Sequence, residues 1–115
     1  MNSFKNTLIQ LAHYGMGEGD EQLGLLLLSN YLHLLNEEAE LPQVIVFYNA
    51  GVKLICTGSP VLNNLDALQK KGVRLLACKT CLNHFNLINE RKTGIEGTMM
   101  DIIELQKVAK KVINL

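Results

Sequence analysis

Residues 44–48 read VIVFY, five consecutive apolar and β-prone side chains. A strand with one wet face alternates apolar and polar residues. An unbroken apolar run instead suits a strand covered on both sides, as in the interior of a parallel sheet. The borders fit that reading. Pro42 breaks the chain just before the run, and NAG at 49–51 ends it. Working outward, VRLLA at 73–77 reads as a second strand of the same kind, and LIQLAH at 8–13 as the first strand of the chain. VINL at 112–115 reads as a short closing strand.

Helices are predicted between these strands. The first runs from about residue 21 to 38, with Leu23, Leu27, Tyr31, Leu34 and Leu35 on one apolar face. Leu25, Leu26, Leu28 and Leu32 spread apolar surface around most of the cylinder, so this helix needs cover on more than one side. A second subunit is the expected cover. Ser59-Pro60 predicts the start of a second helix, with serine as the cap and proline in the first turn, and Gly72 predicts its left-handed end. Thr80 is expected to cap a short helix bearing Leu82 and Phe85. Thr98-Met99-Met100-Asp101 predicts a capping box ahead of a last helix with Ile102, Leu105, Ala109 and Val112 on one stripe. Strands alternating with helices around an apolar centre predict a small three-layer, doubly wound α/β domain over residues 1–115. Its sheet is mostly parallel, of about five strands, with helices on both faces.

Sites in such folds lie beyond the carboxyl ends of the strands. Three segments fall there: residues 14–20, 49–53 and 78–84. The first, YGMGEGD, departs from the spacing of the dinucleotide fingerprint and lacks the lysine of a phosphate loop. Glu18, Asp20 and Glu21 put negative charge where an anion would sit, and they suit the positive end of the following helix instead. Overall composition excludes other classes. Lys plus Arg equal Asp plus Glu at 11 each, so no general attraction for nucleic acid or an anionic membrane arises. No apolar stretch reaches the roughly 18–20 residues of a membrane span. MNSFKNTLIQLA is not a signal peptide, which assigns the chain to the cytoplasm.

Three cysteines, an odd number, argue against a secreted disulfide framework. Cys78 and Cys81 form a C-x-x-C pair at the end of the VRLLA strand. At a strand end and beside a helix start, a thiol is expected to lie open in the crevice and its thiolate to be favoured, with Lys79 and Lys53 adding positive potential. Such a thiolate attacks a sulfur donor or a disulfide. Two alternatives stay open. The cysteines can be inert, since a free thiol packs like a small hydrophobe. Cys56, Cys78, Cys81 and His84 can form a tetrahedral metal set, although C-x-x-C-x-x-H on one short helix crowds the ion and Cys56 stands alone. His13, at a strand end, is a candidate for proton transfer or a structural residue.

Taken together, GMGEGDEQLG, VIVFYNAGVKLICTGSPVLNNLDALQKKGVRLLACKTCLNHFNL and GTMMDIIELQKVAKKV resemble the DsrE/DsrF-like family. The likeness is greatest to the DsrE-like domain of YedF-type proteins, described as sulfurtransferase-like and linked to selenium metabolism. The resemblance implies a parallel-sheet α/β domain, assembly into homo-oligomers such as trimers or hexamers, and no cofactor. It implies that Cys78 carries sulfane sulfur as a persulfide, and that Cys81 resolves that persulfide or tunes its neighbour. Asn49, Gly51 and Lys53 match the family's strand-end motif, with substrate-binding or thiolate-stabilising roles. YedF-type proteins begin with a TusA-like sulfur carrier that these residues do not include, so the expectation is that the domain acts alone or with a separate TusA-like protein as partner.

Overall fold

The computed structural model describes residues 2–115. Five strands build one sheet: β1 (Thr7–Leu11), β2 (Val44–Phe47), β3 (Arg74–Cys78), β4 (Ile95–Gly97) and β5 (Lys111–Asn114). Their spatial order is β4-β3-β2-β1-β5 and every pairing is parallel. The helices are α1 (Glu21–Leu35), α2 (Leu62–Lys70), α3 (Lys79–His84) and α4 (Met99–Val108), with a 3₁₀ helix at Asn49–Ile55 directly after β2.

The chain order explains the layers. β1, β2 and β3 step across the sheet in one direction, so right-handed crossovers place α1 and α2 together on one face. The return from β4 to β5 runs the other way and carries α4 to the opposite face. Register then sorts the side chains. Leu8, Val44 and Arg74 line up, as do Gln10, Val46 and Leu76. These point toward α4, since Gln106 of α4 donates a hydrogen bond to the Gln10 side chain. Ile9, Ile45 and Leu75, then Leu11, Phe47 and Ala77, form rows under α1 and α2. All of these apolar residues are buried, so the VIVFY reading holds: β2 is covered on both faces.

Several local expectations also hold. Asp20 caps α1, its carboxylate accepting from the Leu23 N–H at 2.8 Å. Thr98 and Asp101 form the capping box of α4. Gly72, at φ +103°, ends α2 with its N–H bonded to Gln69 O and the Val73 N–H bonded to Leu68 O.

Others need correction. The second helix starts at Leu62, not at Pro60. Ser59 Oγ accepts from the Val61 N–H within a turn, and buried Val61 anchors that turn before the helix begins. The first helix ends at Leu35, and its inner face is Gly24, Leu28, Leu32 and Leu35. Leu23, Leu26, Leu27 and Leu34 are 52%, 58%, 42% and 63% exposed. The glycine turn sets this rotation: Met16 N–H bonds to Gly24 O, and a Cβ on Gly15 would meet Gly24 C at 2.7 Å. β4 was not legible as a strand; it is three residues long and two of them are exposed. No helix among the described residues is long and apolar enough to cross a membrane.

Candidate functional site

The carboxyl end of β3 lies beside that of β2, and the two segments that leave them pack on each other. After β2 the chain turns at Asn49, whose φ of +52° lies in the left-handed region that asparagine tolerates better than most residues. The 3₁₀ helix begins there and drives against the end of β1. At Gly51 a Cβ would stand 2.0 Å from Leu11 O and 2.7 Å from Leu11 C. Only glycine fits this approach, so Gly51 acts by letting two backbones touch.

The left-handed turn aims the Asn49 backbone N–H at the neighbouring segment, where it donates to Cys81 Sγ at 3.1 Å. Cys81 lies in α3 and is half-buried. Burial is the largest influence on its thiol and pushes its pKa up. The neighbouring Cys78 thiol, by hydrogen bonding, acts in the same direction, while the Asn49 N–H pulls it down. The net direction at Cys81 is upward, against easy loss of its proton.

Cys78 ends β3 and is the residue from which α3 departs. It is 2% exposed. The open thiol expected from the strand-end position is corrected by this burial. β4 lies beside β3 here, its Gly97 paired with Cys78. Thr80, expected to cap α3, lies inside the helix instead, and the capping position belongs to Cys78 without a side-chain hydrogen bond.

Cys56 lies apart from the pair. It is 1% exposed and its thiol donates to Val52 O at 3.2 Å. Burial again pushes its pKa up; Glu90 adds to this and Arg91 opposes it. His84 is exposed, with its ring edge-on to Phe85. Among the described residues no three His, Cys, Asp or Glu side chains are grouped to hold a metal ion.

Lys53 extends over the ring of Phe85, with Nζ 4.6 Å from its centroid. The two help to line a hollow of about 340 Å³ with Tyr14, Cys56 and Thr57. Lys53 is thus engaged with an aromatic face rather than free in solvent. Phe85 and Tyr14 were not singled out as site residues by sequence reasoning. The signal for Phe85 was its place one helical turn beyond Cys81; Tyr14 gave none beyond following a strand. His13 reaches a separate hollow of about 220 Å³ with Glu18, Asp20 and Ala50, and its buried Nδ1 has no hydrogen-bond partner.

The profile of the DsrE/DsrF-like family matches residues 7–115. No curated protein matches the chain. Among solved structures, the chain is similar to the protein of unknown function MTH1491 from Methanobacterium thermoautotrophicum, at 21% identity and a TM-score of 0.68, over 95% of this chain and 97% of that one. It is similar to the ychN protein from E. coli at 19% identity and a TM-score of 0.65, over 95% and 98%. It is also similar to the conserved protein of unknown function BT1422 from Bacteroides thetaiotaomicron at 17% identity and a TM-score of 0.66, over 99% and 100%. At these identities the likeness establishes a shared fold.

Proposed function

The chain belongs to the DsrE/DsrF-like family, and on that premise we propose that it is a sulfur-relay protein that accepts sulfane sulfur at the Cys78–Cys81 pair, carries it as a persulfide on Cys78 and passes it on. The observation that carries this reading is the placement of two free thiols at the carboxyl end of a central strand, one of them receiving a backbone N–H at 3.1 Å. The chemistry needs no more than these groups. A thiolate attacks the outer sulfur of a donor R–S–S–H; a new S–S bond forms, the donor S–S bond breaks, and R–S⁻ leaves to be protonated by solvent. Passing the sulfur on is the same displacement by an acceptor thiolate, with the cysteine as leaving group. No nucleotide or other cofactor enters, in keeping with a glycine turn that lacks phosphate-binding features.

The same proposal gives the protein a YedF-like setting in the cytoplasm, a TusA-like carrier as its exchange partner, and no nucleic-acid or membrane partner. It includes a homo-oligomer, a trimer or hexamer. Exposed Leu23, Leu26, Leu27 and Leu34 on α1 support assembly, since a row of apolar side chains on one helix is costly to leave in water.

A second reading has one observation in its favour. The burial of Cys78 suits a non-catalytic oligomeric scaffold with idle thiols. Incubation with a low-molecular-weight persulfide, removal of the donor and intact mass measurement separates the two. The relay predicts a gain of about 32 Da, one sulfur atom, that is lost in the Cys78→Ser/Cys81→Ser double variant. An unchanged mass of the wild-type chain supports the scaffold.

A further inference from the structure

Resting on the relay reading, we propose that Cys81, not Cys78, is the thiol that meets the donor, and that sulfur reaches Cys78 only across the pair. Three observations converge. Cys78 is 2% exposed, whereas Cys81 is half-buried. Displacement at sulfur needs an in-line approach along an S–S bond, so the attacking atom must be reachable by a second protein or a small persulfide. Second, the residue over Cys81 is Asn49, itself exposed, so the approach to Cys81 borders solvent. Third, the Asn49 N–H points at the Cys81 sulfur from a turn that Gly51 locks against β1. That donor is fixed in place before reaction, and it favours negative charge on this sulfur each time Cys81 attacks or leaves.

The steps balance with the donor persulfide as the only co-reactant. Cys81, having given its proton to water, attacks the outer sulfur of R–S–S–H. The product is Cys81–S–S–H, and R–S⁻ leaves. The Cys78 thiol, a neighbour of Cys81, then attacks that outer sulfur, its proton passing to the Cys81 sulfur once that sulfur is released. The Cys81–sulfur bond breaks and Cys81 leaves as thiolate under the Asn49 N–H, while the persulfide now sits on Cys78, shielded from water. Export runs the two steps backward, so an acceptor also collects its sulfur from Cys81. Asn49 is a positioning residue in this scheme, acting through its backbone on the reacting sulfur.

The sequence supplies the means to test it. Lys79 lies between the two cysteines, so trypsin separates residues 75–79, which hold Cys78, from residues 80–91, which hold Cys81. The folded protein is pulsed with cysteine persulfide, quenched with excess alkylating reagent and digested. In the wild type the extra sulfur is expected first on residues 80–91 and later on 75–79. Cys78→Ser should keep the early phase, and both Cys81→Ser and Cys81→Ala should slow loading of residues 75–79 by about tenfold or more. Loading of 75–79 at the wild-type rate in either Cys81 variant overturns the assignment and leaves sulfur carriage standing. Absence of sulfur from both wild-type peptides overturns carriage and the assignment with it. Alkylation of the native wild type requires no variant to fold: residues 80–91 should be modified before residues 75–79, and the reverse order contradicts the proposal.

Discussion

The 3₁₀ helix Asn49–Ile55 touches one cysteine from its first residue and another from its middle, and the two contacts are opposite in kind. At its start a backbone N–H points at Cys81, so that sulfur accepts. Further along, the Val52 carbonyl takes the proton of Cys56, so that sulfur donates. Burial pushes both thiols up in pKa. Only at Cys81 does a hydrogen bond act against it, and only Cys81 is reachable from outside. A donated hydrogen bond from a thiol holds the proton on the sulfur; an accepted one eases its loss. One short helix thus takes the proton of one thiol on a carbonyl and offers the other sulfur a backbone N–H. The division of the three cysteines read from their spacing, a pair and a lone Cys56, is the one the structure shows, with Cys56 buried as a packing residue.

The contrast depends on where the 3₁₀ helix sits, so displacing it should have the largest effect. Gly51→Ala forces a methyl group into Leu11 O and should destabilise the fold by about 3 kcal/mol, read from the urea midpoint, because backbone must move to admit it. It should also separate Asn49 from Cys81. Next is the reactivity of the native thiols. Cys81 should be alkylated about a hundredfold or more faster than Cys56, whose exposure needs a local opening of roughly 3 kcal/mol. Equal rates, measured by peptide mapping over time, would erase the contrast. Smaller again is Cys56→Ala. Loss of the Val52 hydrogen bond and a little packing should cost about 1 kcal/mol and leave sulfur uptake unchanged.

The effects of pH follow from the directions of the shifts. Cys56 and Cys81 have folded pKa values above those of the unfolded chain, so the folded state holds its protons longer. The stability they contribute is fully present below the unfolded thiol pKa and is lost as pH rises through the folded values. Urea midpoints should fall through that alkaline window, and fall less in Cys56→Ala. At the acid end Asp101 behaves in the opposite sense. The Thr98 N–H and hydroxyl hold its carboxyl below the usual value of 3.8, so its contribution is present above that pH and fades as pH drops through the folded value. Because Asp101 is exposed, the sign of the change is what is predicted, visible as faster amide exchange in the first turn of α4.

Sequence reading worked where a signal was local. The unbroken runs of β2 and β3, the Thr98–Asp101 box and the glycine at the end of α2 each lie within a few residues and name a conformation by themselves. It failed where the answer depended on something distant. With leucines almost all round α1, helical periodicity could not choose the inner face; contact between the glycine turn and Gly24 chose it. β4 carries no apolar run, so its place beside β3 could not be foreseen. The pairing of Asn49 with Cys81 spans 32 positions along the chain. C-x-x-C spacing brought out the pair but could not say which sulfur is the more exposed, because that depends on how distant segments pack around the motif.

The central claim is that the pair both takes sulfur and gives it up, and the most direct test is the second half of that cycle. Protein loaded with one labelled sulfur atom, freed of donor and mixed with a reduced carrier thiol protein, should lose about 32 Da while the acceptor gains the same mass and the label. Label that stays on the chain, or leaves only as free hydrosulfide with the acceptor unmarked, would contradict the relay.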